Sequence, residues 1–267
     1  MFHQEIDYRK ELEYCELFHR LLARDDRYLV PKVYRDYSTR KVLATEFIEG
    51  VRADSSEVQA LTPERRNRVG LAFLDLYFRE LLEFRQVQTD PHLGNYMVQI
   101  DPNGAKDRLV LLDFGAVREV PEDFLKSYAL LIEGGLANDA RMIEKAGRQL
   151  GLLQPEDELE LVDDYVRLSM MVIEPFSLPE WELAPNNLLS NEDGSYDWGA
   201  SDLPQRVAGK LTRIAATYRL RAPPRELVFL DRKLGGVFIF MSVLKCRLEA
   251  RQLLQATLAK YLSKEPR

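Results

Sequence analysis

Between Thr62 and Gly115 the chain lays down a succession that few folds can accommodate: a long amphipathic helix, a polar loop, a hairpin and a second polar stop. Thr62 is a good N-cap and Pro63 suits the first helical position, after which Val69, Phe73, Leu76, Leu81 and Phe84 recur on one face as far as Arg85. That helix feeds the loop Gln88-Thr89-Asp90-Pro91-His92-Leu93-Gly94-Asn95. Two short apolar runs, Tyr96 to Ile100 and Leu109 to Leu112, are then joined by Asp101-Pro102-Asn103-Gly104, a turn composition suited to a hairpin. The second run ends in Asp113-Phe114-Gly115, so a hairpin brings Asp113 back toward the loop that carries Asp90 and Asn95.

The flanks are simpler. Tyr8, Leu12, Cys15, Phe18 and Leu22 recur at steps of three and four, which predicts an amphipathic helix over residues 4–24. Pro31 to Tyr37 and Val42 to Gly50 read as two short strands around a Ser38-Thr39 turn, the second closed by glycine. Beyond Pro121 the period is helical nearly to the end, with helices expected at 122–136, 138–150, 156–173, 204–219 and 224–261. Residues 174–202, rich in Pro, Asn, Ser, Gly and Asp, read as a functional or mobile loop rather than a compact connector. A few strands near the front and a helical remainder make the fold class α+β, predominantly helical.

Composition removes several functions. The 267 residues carry 37 Lys+Arg against 43 Asp+Glu, a formal charge of -6, with no basic run. Binding a phosphate backbone needs clustered cations, so no nucleic acid is expected as a partner. Cys15 and Cys246 stand far apart and outside any metal-ligand spacing, which suits two buried thiols in a reducing compartment and no structural zinc. The longest apolar stretch, Leu234 to Leu244, is closed by Lys245 well short of the roughly 20 residues of a bilayer span, so no transmembrane span is expected. Met1 to Arg9 has the order of neither a secretory signal nor an organelle presequence. The expected setting is cytoplasmic, or peripheral to a membrane.

Asp90, Asn95 and Asp113 carry the chemistry. Phosphoryl transfer from ATP needs Mg²⁺ on the phosphates, and Mg²⁺ takes a few hard oxygen ligands plus water, which an Asn carbonyl and an Asp carboxylate supply. It also needs a group that orients the attacking hydroxyl or water. An Asp five residues before an Asn on one loop, with a second Asp returned by a hairpin, is the arrangement of kinase catalytic sites. Each piece alone is also an ordinary turn, since Asp and Asn satisfy their own backbone in loops. His92 has no second His or Cys near it in sequence and reads as structural. Lys233 with Gly235-Gly236 reads as close helix packing, because no Ser or Thr follows a Gly-Lys pair.

These motifs, with Glu5 to Glu11, Val30 to Tyr34, Val42 to Gly50, Leu111 to Glu119 and Pro223 to Gly236, resemble the UbiB/AarF family of atypical, protein-kinase-like proteins, in its branch associated with coenzyme Q. The resemblance implies a protein-kinase-like C-terminal lobe at residues 51–267 and a remnant of the N-lobe at 1–50. It implies Asp90 as the catalytic aspartate and Asn95 with Asp113 as holders of Mg²⁺. Thr45, Glu46, Phe47 and Ile48 would form the hinge that meets adenine. Glu11 would be the carboxylate that pairs with the ATP-binding lysine, and Glu5 with Asp7 the family's Glu-x-Asp feature. By periodicity alone the three acids form a solvated helix face, and Thr45 to Ile48 a core strand.

Three elements of the pattern are missing from the sequence: a Gly-x-Gly-x-x-Gly loop, a Walker-type Gly-Lys-Ser/Thr, and a strand lysine ahead of the Glu11 helix. Lys10, Lys32 and Lys41 lie on that helix or after it. The chain thus reads as a truncated or split member, or a fragment of a longer protein. Gln88-Thr89 stands where conventional protein kinases have His-Arg, and no Ala-Pro-Glu follows Asp113, which argues against ordinary protein phosphorylation. The resemblance therefore implies an atypical kinase or ATPase that binds ATP and Mg²⁺ and supports ubiquinone biosynthesis, with quinone-biosynthesis proteins or lipid at a membrane surface as partners. The alternative is a catalytically incomplete pseudokinase acting as a scaffold. An aminoglycoside-type phosphotransferase also places Asn after Asp, but the Glu5 to Glu11 helix and Arg232 to Gly236 favour the first family.

Overall fold

The computed structural model describes residues 8–185, 188–190, 192–218 and 222–264, so Glu5 and Asp7 lie outside the described residues. Helix α1 (Tyr8–Leu22) buries Leu12, Cys15, Phe18 and Leu22, the stripe its period predicts. Phe18 packs against Phe114 with ring centroids 5.0 Å apart, so the first helix is seated on the Asp-Phe-Gly segment 96 positions along the chain. Strand β1 (Tyr28–Leu29) follows. The expected pair of strands around Ser38-Thr39 shrinks to one bridge between Val33 and Thr45. The cause is local. Ser38 Oγ donates to the Tyr34 carbonyl and accepts from the Ala44 N–H, while Thr39 N–H bonds the Val42 carbonyl, so turn bonds capture backbone that a ladder would use.

After β2 (Val51–Arg52) and a single turn, α2 (Ser56–Gln59), the long helix α3 runs Pro63–Phe78, its N-terminus capped by Thr62 Oγ1 on the Arg65 N–H. It continues as a π-helical turn, Arg79–Phe84, and stops where Arg85 turns left-handed at φ 55°. Strands β3 (Gln86–Gln88), β4 (Tyr96–Gln99), β5 (Arg108–Leu111) and β6 (Val117–Glu119) come next. β4 and β5 form the expected hairpin, Tyr96 opposite Leu111, inside a sheet ordered β1-β5-β4-β2. β3 pairs antiparallel with β6, Gln88 opposite Val117. The strand entering the polar loop is therefore stapled to the strand leaving Asp-Phe-Gly, and both motifs are held at their ends.

Helices α4 (Glu122–Ala137), α5 (Ala140–Gln149), α6 (Leu159–Ile173) and α7 (Leu203–Thr217) follow the predicted spans to within a few residues. The expected single helix over 224–261 is instead two, α8 (Arg225–Val243) and α9 (Arg251–Leu262). Between them Lys245 is left-handed, Arg247–Leu248 pairs with Tyr196–Asp197, and Asn67 clasps Arg247 with hydrogen bonds to both its backbone N–H and C=O. A tertiary pairing that periodicity cannot see takes these residues out of the helix. Among the described residues no helix is long and apolar enough to cross a membrane.

One core runs through the molecule. Phe73 of α3 stacks on Phe240 of α8, centroids 3.9 Å apart, and meets Tyr96 of β4 edge-on at 4.8 Å. The described part of 174–202 is packed on this core rather than loose: Phe176, Leu188, Leu189, Tyr196 and Trp198 are all buried. Its anchor is Glu174, fully buried, which accepts both arms of the Arg206 guanidinium at 2.7 and 2.8 Å and the Tyr196 hydroxyl at 2.5 Å. Arg206→Met would leave that carboxylate uncompensated and should lower unfolding free energy by about 3 kcal/mol in urea denaturation. Adding Glu174→Gln should recover part of the loss.

Candidate active site

Gln88 joins the two halves of the site. Its side chain is buried, and its amide faces two ways: Nε2 donates to the Asp113 carbonyl at 3.1 Å, and Oε1 accepts the Asp90 N–H at 2.5 Å. Thr89 adds a second tie, with N–H and Oγ1 both on the Ala116 carbonyl. The loop then turns on His92, whose Nδ1 accepts the Gly94 N–H at 3.0 Å, while the Asn95 N–H bonds the His92 carbonyl. His92 is thus a turn residue, as the sequence suggests. The Leu112 N–H returns to the Asn95 carbonyl at 3.0 Å, closing the loop against the start of Asp-Phe-Gly.

This frame gathers Asp90, Asn95 and Asp113. Asn95 Nδ2 sits between the Asp90 backbone carbonyl at 3.2 Å and Asp90 Oδ2 at 3.1 Å. Two acceptors fix the amide with its NH₂ inward, so its carbonyl oxygen is the atom left to face a cation. Asp113 uses Oδ1 to accept the Gly115 N–H at 2.8 Å, an Asx turn that aims the carboxylate; Oδ2 takes no partner among the described residues. One amide oxygen and one carboxylate oxygen form the hard donor set that Mg²⁺ accepts, with water completing its shell. Among the described residues no cluster of three or more His, Cys, Asp or Glu offers a site for a transition metal.

Glu11 reaches the same place from α1. Seven residues before Phe18, and so on the same helix face, it lies beside Asp-Phe-Gly: a Cβ placed on Gly115 would sit 3.3 Å from Asp113 Oδ1 and 3.5 Å from Glu11 Oε2. Burial pushes the Glu11 carboxyl up to about 7, the Asp113 charge adds to the shift, and the Phe114 N–H offsets part of it. No lysine or arginine among the described residues pairs with it. A carboxylate raised by desolvation and like charge in this way marks Glu11 as a candidate functional group.

Thr45, Glu46, Phe47 and Ile48, the expected hinge, do not form a core strand: Thr45 makes one bridge to Val33, and Thr45, Glu46 and Phe47 are exposed. The Glu46 N–H bonds the Lys32 carbonyl at 2.8 Å, while the Phe47 backbone has no partner among the described residues and its side chain is 87% exposed.

The sequence reading missed a buried ion pair beneath the loop. Lys233 of α8 (1% exposed) lies 3.1 Å from Glu80 (fully buried) in the π-helical turn, donates to the Tyr96 hydroxyl at 3.0 Å and faces the rings of Phe73 and Tyr96. Burial works against the ammonium, but Glu80 outweighs it and holds the Lys233 pKa above its usual value. Burial pushes the Glu80 carboxyl up, and the ammonium of Lys233 pulls it back down. The Gln88 N–H also favours the Glu80 carboxylate, although neither oxygen meets the alignment of a full hydrogen bond. One turn later Gly236 presses on the loop itself, where a Cβ would come within 1.9 Å of Pro91 Cβ. Close packing is thus the role of Gly236, as its sequence context suggests; the only signal for Lys233 was a cation at the head of an apolar run.

Two stability measurements follow. Lys233→Met should cost about 3 to 5 kcal/mol by strapping an unpaired charge into the core, and Lys233→Met with Glu80→Gln should cost less than the single change. Glu11 behaves oppositely. Its folded pKa lies above its unfolded value, so folding carries no Glu11 penalty below about pH 4.5 and loses stability as pH rises through about 7. Glu11→Gln should therefore raise the melting temperature at pH 8 and leave it unchanged near pH 4.

Comparison with known proteins meets this geometry. Residues 1–147 match the ABC1 atypical kinase-like domain. The chain is 32% identical over 257 residues to the mitochondrial atypical kinase COQ8B of Rattus norvegicus, covering 96% of this chain and 45% of that protein. It is 28% identical over 257 residues to the mitochondrial atypical kinase COQ8 of Schizosaccharomyces pombe, covering 96% and 39%. The chain thus spans less than half the length of these two curated relatives. Among solved structures, Rv3197 of Mycobacterium tuberculosis, determined in complex with erythromycin, superposes with a TM-score of 0.68 at 21% identity, over 98% of this chain and 60% of that one. That likeness shows a shared kinase-like fold. With more than half its length matching the domain, the chain belongs to the ABC1 atypical kinase-like family, the UbiB/AarF group.

Proposed function

We propose that the chain is the catalytic portion of an atypical kinase or ATPase that uses MgATP in support of isoprenoid-quinone synthesis. The observation that carries this reading is the convergence of Asp90, Asn95 and Asp113 on one frame built by Gln88. Asn95 and Asp113 would hold Mg²⁺, which neutralises phosphate charge when bound. Asp90 would accept the hydrogen of the attacking hydroxyl or water. The Phe47 backbone, without a partner among the described residues, supports Thr45 to Ile48 as the adenine contact. Residues 1–50 would serve as the N-lobe remnant and 51–267 as the C-lobe. The mitochondrial atypical kinases COQ8B and COQ8 among its relatives support a role beside quinone-biosynthesis proteins at a membrane surface.

A second reading, a pseudokinase scaffold, draws on Glu11, which has no cationic partner among the described residues. Losing one charge-assisted phosphate contact weakens binding by about 10- to 150-fold, so an unaided chain would bind nucleotide weakly.

Calorimetry and turnover separate the two. Asp113→Asn should abolish Mg²⁺-dependent ATP binding. Asp90→Asn should leave binding intact and lower turnover by at least about 100-fold. If binding and turnover fell together in Asp90→Asn, Asp90 would be structural; no MgATP binding by the unaltered chain would leave the scaffold.

A further inference from the structure

We propose that Arg232 is a positioning residue that, with Asn95, locks the Asp90 carboxylate into one orientation. The assignment rests on the phosphotransfer reading for its purpose, though not for its geometry. Arg232 Nη2 donates to Asp90 Oδ1 at 2.7 Å while Asn95 Nδ2 donates to Oδ2 at 3.1 Å. An ionised carboxylate has about four lone-pair positions, so each oxygen keeps one for an incoming hydroxyl or water. Two donors, one per oxygen, stop rotation about the Cβ–Cγ bond without using up the acceptor capacity. Neither could do so alone.

The helix is built to deliver this contact. Arg232 and Gly236 are four residues apart and share a face of α8, which Gly236 seats against Pro91, the residue after Asp90. Lys233, between them, drives into the core on Glu80 and Tyr96. Register and rotation of α8 are thus set by a buried charge and a glycine contact, leaving Arg232 over Asp90. Stability does not account for the pair: the Arg232 side chain is 55% exposed and that of Asp90 33%, the range in which ion pairs add about 0 to 1 kcal/mol. A contact of little worth to folding, reached from 142 positions away, is placed on the one carboxylate that would meet the acceptor.

The test uses the whole 267-residue chain. Arg232→Met should lower turnover of MgATP about 10- to 100-fold, the scale of a misplaced catalytic group, with KM and melting temperature nearly unchanged. Arg232→Lys, which keeps one donor, should recover part of the rate. Because Arg232 acts through Asp90, Arg232→Met in an Asp90→Asn background should slow the enzyme no further. Nitrogen-15 spectra of the guanidinium give a reading independent of turnover: slowed rotation in the unaltered chain, freed by Asp90→Asn. A freely rotating Arg232, additive losses in the double variant, or a large fall in melting temperature would overturn the assignment. No turnover in the unaltered chain, with the guanidinium still held by Asp90, would count against the kinase reading and leave the lock standing.

Discussion

The buried contact between Lys233 and Glu80 organises what lies above it. Glu80 belongs to the π-helical turn that ends α3, and Lys233 to the middle of α8, so one ion pair fixes these two helices against each other. Lys233 also holds Tyr96, the first residue after the Gln88 to Asn95 loop, and Glu80 lies by Gln88, at its start. A charge pair is a poor way to gain stability in a core, where desolvation takes back most of the attraction. It is a good way to forbid alternatives, since any sliding of α8 strands two charges. The π turn that carries Glu80 is itself a feature common at functional sites.

Above that base the site concentrates negative charge. Asp90, Asp113 and Glu11 converge there, and Arg232 brings a cation to Asp90. Burial first, and the Asp113 charge second, raise the Glu11 carboxyl. That arrangement would suit a divalent cation beside Asp113 and an ammonium beside Glu11.

Much of this was legible in the residues. The helix, loop, hairpin and Asp-Phe-Gly succession is local, and local chemistry writes it: Thr62 caps, Gly104 turns, His92 closes the loop on Gly94. What stayed hidden is long-range. Periodicity ran straight through Lys245 to Leu248 because nothing nearby shows the pairing with Tyr196–Asp197. Residues 174–202 looked loose from their composition, yet Glu174, Arg206 and Tyr196 tie them down across 32 positions of chain. Gln88 was marked only by what it replaces, and its two-faced amide bond emerges once Asp113 is brought beside it. Arg232 and Lys233 were seen as part of a motif, but which faces the loop and which the core depends on how α8 is rotated.

Gly236 touching Pro91 has a further bearing, on the order of events during synthesis. The loop leaves the ribosome ahead of the surface that backs it, which belongs to a helix made 145 positions later. Until α8 arrives, Glu80 is an unpaired carboxylate, Tyr96 lacks its cation and Pro91 faces water. The nascent chain therefore carries this loop without its backing until α8 has been made, and the frame around Asp90 is complete only once that helix has docked.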